Sequence, residues 1–405
     1  KKILLFVIKS MNQVETYNSK TDKTDKSNSL LYFYTYITTQ LIYVVVNSYL
    51  PIFFYNVLNV DKTSLAFTLI ISYSALFLEP LISLYFDRRP QLKIPIRLLL
   101  ILIGIGIIAS YFIFILTSTL LLVFGIFLGI NFAFTSVIDV IIKKVLIKKS
   151  SSEKRKNKNV LFLQVGSISG SLIPTILGLF FLPWWNVFFI STIIITIPLI
   201  GILAFSGSPE YSEDTEKLSK KSFSSDYSLK NLGLVCLFAF LIYADQLYQY
   251  PLEPFVVEIV GTFMFNIIFM IFILINTVGI VIAGLVSHKW RRKKILLYNT
   301  ITAGILLLFT PFVPLIIFLM FYVILMIIGG FILVNLISLI IDISRERITI
   351  YQTIAVFITL AKIIFIPLGT ALSAFIPTEW IIFIAGVLFL ISIFPLLFIK
   401  APPKV

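Results

Sequence analysis

Twelve apolar runs of roughly twenty residues or more, each cut from the next by a few polar or basic residues, leave this chain a single class of fold. At 1.5 Å per residue a helix of that length crosses the ~30 Å hydrocarbon layer of a membrane. The runs are Leu30–Asn56, Ser64–Phe86, Ile96–Leu116, Leu120–Ile142, Val160–Leu182, Asn186–Ser206, Leu229–Pro251, Phe263–Val286, Ile295–Thr310, Leu315–Ile341, Thr349–Ala374 and Trp380–Ile399, hereafter spans 1 to 12. They lack the period-two alternation of barrel strands, and lipid offers no partner to an open backbone, so they must be helices. With 59% hydrophobic and 13% charged residues, the 405-residue chain also lacks the polar surface to coat a soluble globule. The expected fold is an all-α integral membrane protein of twelve transmembrane helices.

Charge gives the orientation. Of the 33 Lys and Arg, 31 fall in the N-terminal segment, the loops after even-numbered spans with the first residues of the spans that follow (Arg97 and Lys230), and the C-terminal tail; Lys62 lies on the other face and Lys362 inside span 11. The positive-inside rule then predicts a multi-pass cell-membrane protein with both termini cytoplasmic. The net charge of +14 lies between apolar runs and forms no basic face of readable spacing, so nucleic acid is not an expected partner. One cysteine, Cys236, and one histidine, His288, give no basis for a disulfide framework, a zinc cluster or His-based catalysis. No metal or cofactor is expected. The absence of a Walker-type phosphate loop argues against direct use of ATP.

The chain divides into a polar N-terminal segment at 1–29, a six-span half at 30–206, a linker at 207–228 rich in Ser, Lys, Glu and Asp, a second six-span half at 229–399 and a tail at 400–405. Met11 reads as the native start. Duplication shows in two basic hairpins. The first, between spans 2 and 3, reads Ser83-Leu84-Tyr85-Phe86-Asp87-Arg88-Arg89-Pro90-Gln91-Leu92-Lys93; the second, between spans 8 and 9, reads Gly284-Leu285-Val286-Ser287-His288-Lys289-Trp290-Arg291-Arg292-Lys293-Lys294. Spans 4 and 10 both end in an Ile-Asp pair, at Asp139 and Asp342, and spans 5 and 11 both hold Ile-Pro, at Pro174 and Pro367.

These hairpins resemble the duplicated loop of the major facilitator superfamily, whose pattern is Gly-x-Leu-x-Asp-Arg-x-Gly-Arg-Lys. Asp87 and Arg88 match in the first copy, where Ser83 and Pro90 replace glycines; Gly284, Arg292 and Lys293 match in the second, where His288 replaces the acid and Arg291 a glycine. The resemblance implies a 6+6 bundle of two rocking halves. It also implies a cytoplasmic gate, with the hairpin acid capping a helix and the hairpin base pairing with the acid ending span 4. Asp87, Arg88 and Asp139 occupy those places, with Arg292 and Asp342 as the second-half equivalents. Drug-proton antiporters of this superfamily carry Gly-Pro in span 5, and here Pro174 follows Gly170 by four residues, so that branch is unsupported.

What differs between the halves points to substrate and coupling. Glu79 in span 2, Asp245 in span 7 and Lys362 in span 11 lie inside apolar runs, about 11, 24 and 20 Å from the cytoplasmic ends. A charge at the bilayer centre costs ~2.5 to 3.5 kcal/mol even on mild scales, so such groups face a cavity or one another. The alternative is a static ion pair joining helices. Tyr36, Gln40, Tyr43 and Asn47 share a face of span 1 by their spacing of four, three and four, and Gln246 sits beside Asp245. Because spans 1, 4, 7 and 10 line the cavity in the fold resembled, Asn131 and Asn335 join the candidates. Gly166 and Gly170 form a small-xxx-small packing surface in span 5.

The expected function is a monomeric secondary transporter moving a small solute by alternating access, with protons as the favoured coupling ion through Glu79 and Asp245. Facilitated diffusion and a transporter-like nutrient sensor stay open as alternatives. A membrane-embedded lipid or glycan enzyme fits poorly, because the outer loops are short and carry few catalytic groups.

Overall fold

In the computed structural model the residues described are 33–82, 96–149, 153–180, 194–196, 229–286, 292–344 and 348–400. The N-terminal segment, the linker, most of span 6 and the hairpin residues Asp87 and Arg88 lie outside them. The described chain is helical, and ten helices are long and apolar enough to cross a membrane. They correspond to spans 1 to 4 and 7 to 12. Span 5 is a helix over Glu153–Phe180 whose apolar part, Val165–Leu179, is shorter. The end at which span 1 begins and span 12 finishes is called proximal; the opposite end is distal.

Two apolar cores form, one mainly in each half. The first gathers residues of spans 1 to 4 around Tyr49, Tyr73, Tyr111 and Phe124 and takes in Tyr250 of span 7 and Ile363 and Ile366 of span 11; the second gathers spans 7 to 12 around Phe238, Leu247, Leu296 and Ile381 and takes in Ile52 of span 1. The lipid-facing shell is apolar too, with Phe67, Leu122, Ile316 and Phe394 all largely exposed. Equivalent helices pack in equivalent ways. Span 4 packs on spans 2 and 3 as span 10 packs on spans 8 and 9, and span 5 packs on span 1 as span 11 packs on span 7. The span 5 contact follows from sequence: a Cβ at Gly170 would lie 2.5 Å from the Ile37 carbonyl oxygen, and one at Gly166 would strike that of Phe33.

Spans 7 and 1 differ from the regular helices expected. Span 7 does not end at Pro251 but continues to Val260, with both Pro251 and Pro254 inside the helix Gln246–Val260. The interruption lies earlier, at Ile242–Asp245, where tight bonds such as Gln246 N–H to Tyr243 C=O replace the helical ladder. Pro251 cannot donate to the Leu247 carbonyl one turn back, and that oxygen lies against span 11 at Gly369, where a Cβ would collide with it. Span 1 holds two π-helical stretches, Val45–Tyr49 and Phe53–Val57. Each widens a turn and rotates the face that follows, so its polar side chains reach several partners. At the distal start of span 2, Asp61 caps Lys62–Ser74 by accepting from the Ser64 amide at 2.7 Å, which holds its carboxyl below the usual range.

Candidate functional site

Spans 1, 7 and 11 meet at mid-depth in a polar node. The Tyr43 hydroxyl donates to Gln246 Oε1 and Gln249 Oε1, at 3.1 and 3.0 Å. Gln246 Nε2 in turn donates to Asp245 Oδ2 at 3.2 Å. The Lys362 ammonium lies 4.9 Å from the centre of the Tyr43 ring, on its π face, and its charge acts on Asp245. The structure thus brings Tyr43, Asp245, Gln246 and Lys362 together. Asp245 ends the break in span 7 and Gln246 begins the helix Gln246–Val260, so the two stand side by side at that junction. Glu79 is buried on span 2, two residues after the 3-10 turn Ala75–Phe77 that packs on span 11.

The remaining candidates are placed differently. Asn47 donates to the Tyr43 carbonyl at 2.8 Å and accepts from the Tyr73 hydroxyl of span 2 in a short bond. Asn131 donates to Ile107 C=O and Ser110 Oγ of span 3, both at 3.0 Å. Asn335 returns its amide to Phe331 C=O of its own helix. Gln40 is half-buried, its Cβ close to Gly170 of span 5. The nitrogens of these three asparagine amides are engaged with protein groups, while the side-chain oxygens of Asn131 and Asn335 are buried with no hydrogen-bond partner among the described residues.

Beyond the node a chain of bonds closes the distal end between halves. Ser48 Oγ donates to Glu253 Oε1 at 3.2 Å, and the Tyr49 hydroxyl donates to Asn266 Oδ1 at 2.8 Å, whose Nδ2 donates to Gly178 C=O. Tyr55 meets Ser373 Oγ at 3.2 Å, and the Lys62 ammonium donates to Ser373 C=O at 2.9 Å while lying 5.2 Å from the Tyr55 ring centre. Sequence reasoning did not identify Glu253, Asn266 or Ser373. A Pro-Leu-Glu-Pro stretch holding a carboxylate was the available signal for the first.

At the proximal end, Arg292 pairs with Asp342 in close contact and also donates to Ser338 C=O at 3.2 Å, joining spans 9 and 10. Asp139, the first-half equivalent of Asp342, accepts from the Tyr36 hydroxyl at 3.1 Å. An apolar recess of about 410 Å³ lies between the proximal parts of spans 7 and 11, bounded by Leu232, Cys236, Phe240, Thr353 and Phe357. The Arg292 and Asp342 side chains are 28 and 34% exposed, so water screens their pair. Asp342→Asn is therefore expected to lower the melting temperature by only a few degrees, a shift read by thermal unfolding in detergent.

The sequence model of the Major Facilitator Superfamily matches residues 235–405. No curated protein sequence matches the chain. Among solved structures, the chain is similar to a D-xylose-proton symporter, with 17% identity, a TM-score of 0.67 and coverage of 93% of this chain and 97% of that one. It is likewise similar to the xylose transporter XylE from E. coli in its inward-open conformation, with 15% identity, a TM-score of 0.68 and coverage of 95 and 97%.

Proposed function

We propose that the chain, matched to the Major Facilitator Superfamily in its second half by sequence and similar in fold to two solved transporters throughout, is a proton-coupled transporter of a small polar solute. The observation that carries this reading is the node of Tyr43, Asp245, Gln246, Gln249 and Lys362, which joins the two halves at mid-depth beneath a closed distal end. A solute held there touches both halves at once. It can therefore bias their relative position, as alternating access requires. The amides and phenol suit a solute rich in hydroxyls, and the two similar structures are a D-xylose-proton symporter and a xylose transporter. The proximal end is read as cytoplasmic from its basic loops, so the closed distal end is the one that faces away from the cytoplasm.

The test is uptake into proteoliposomes, with D-xylose as the first probe. An inward proton gradient should drive accumulation that a protonophore abolishes. Flux without proton movement would make the protein a uniporter, and binding without flux would make it a sensor. Orientation is checked in a Cys236→Ser background: Phe375→Cys, exposed at the distal end, should be labelled from outside intact cells and Ser219→Cys should not. Equal labelling would overturn the topology.

A further inference from the structure

Glu253 is buried in span 7, and its setting differs from that of the node. Oε1 accepts from Ser48 of the other half, while Oε2 is buried with no partner. The ionisable groups within electrostatic reach of it include the phenols Tyr73 of span 2, Tyr248 and Tyr250 of span 7 itself, and Tyr322 of span 10. Asp245 lies about two turns nearer the proximal end and shares Tyr248 and Tyr322 with it, with Lys362 beside Asp245. Among the described residues no lysine or arginine is among the groups acting on Glu253. An ionised carboxylate in that position would have the Ser48 hydroxyl and its own backbone amide as donors and no counter-charge, short of what a buried charge requires.

We propose that Glu253 is a proton-binding site, separate from the node, that ties closure of the distal end to the acidity of the distal compartment. With the distal end open, the carboxylate meets water and takes a proton from it. The neutral acid then accepts the Ser48 hydroxyl as the halves close. Reopening readmits water, and the proton returns to the same side, so the site sets how often the distal end is shut without itself moving charge across. Acid on the distal side favours the closed form, and alkali favours the open one.

The experiment uses the full chain in nanodiscs with Cys236→Ser and spin labels at Val60→Cys and Phe375→Cys across the distal mouth. Label distances in otherwise wild-type protein should lengthen as pH rises. Glu253→Gln, which still accepts from Ser48 but cannot ionise, should stay short at every pH. Ser48→Ala, which retains the acid, should show a larger open fraction at each pH and still titrate. A Glu253→Gln variant that titrates like wild type, or a wild type indifferent to pH, overturns the proposal. So does a sodium-dependent shift at fixed pH that Glu253→Gln abolishes, since it would assign the site to a metal cation. Should Glu253→Gln not fold, infrared spectroscopy decides: a protonated-carboxyl band that moves on Ser48→Ala supports the site, and an unmoved or missing band refutes it. None of these readouts needs a transported solute, so they stand or fall apart from the transport reading.

Discussion

Uptake is expected to fall to about a tenth of wild type or less when Lys362 is replaced by alanine, with the protein still inserted in the membrane. The ammonium sits on the Tyr43 ring, and the Tyr43 hydroxyl holds both Gln246 and Gln249, so one truncation loosens the contact between spans 1, 7 and 11. A desolvated cation–π contact is worth about 2 kcal/mol, roughly a thirtyfold effect. Asp245 would also lose the cation that acts on it and retain its bond from Gln246. That residual charge is the larger cost, because breaking one side of a buried pair typically destabilises by about 3 to 5 kcal/mol. The double variant Lys362→Ala with Asp245→Asn should therefore melt above the Lys362→Ala single variant while remaining inactive. Strictly additive melting shifts would show that the two groups do not act as a pair.

The largest loss of stability is expected from Gly369→Val. A side chain at this point of span 11 would drive its first carbon into the Leu247 carbonyl oxygen, which is backbone and cannot swing aside. Overpacking a core usually costs about 1 to 3 kcal/mol, and a backbone obstacle places this variant at or above the upper end. A fall in melting temperature on the order of 10 °C should follow. Gly284→Ala is the matched control, since nothing lies within 4 Å of a Cβ there. If both variants melted alike, spans 7 and 11 would not be held by this close approach.

Much of the architecture could be read from spacing alone, because a membrane helix must be apolar, continuous and long, and few other elements look like that. The Arg292–Asp342 contact was reachable from the repeated hairpin and the acids that end spans 4 and 10. Asn47, Asn131 and Asn335 show where such reasoning stops. An amide in an apolar run must bond to something, and sequence does not say whether that is a cavity or the carbonyl of a neighbouring helix. Glu253 was lost for a different reason. Pro251 was taken to end span 7, yet a proline removes one donor, and the helix continues past it when the freed Leu247 carbonyl can lie against Gly369 of another span.

The distal closure is made largely of neutral hydroxyls and amides that bond across the halves, from Tyr49 to Ser373, with Lys62 on a carbonyl as its charged member. Such groups separate only if solvent replaces each lost partner, so opening must draw water into the gap. The equilibrium between the two forms is thus linked to water activity as well as to solute. Excluded osmolytes such as sucrose oppose hydration of newly exposed surface and should hold the distal end shut in proportion to their concentration. A fall in water activity on the distal side would therefore hold the protein closed toward that side.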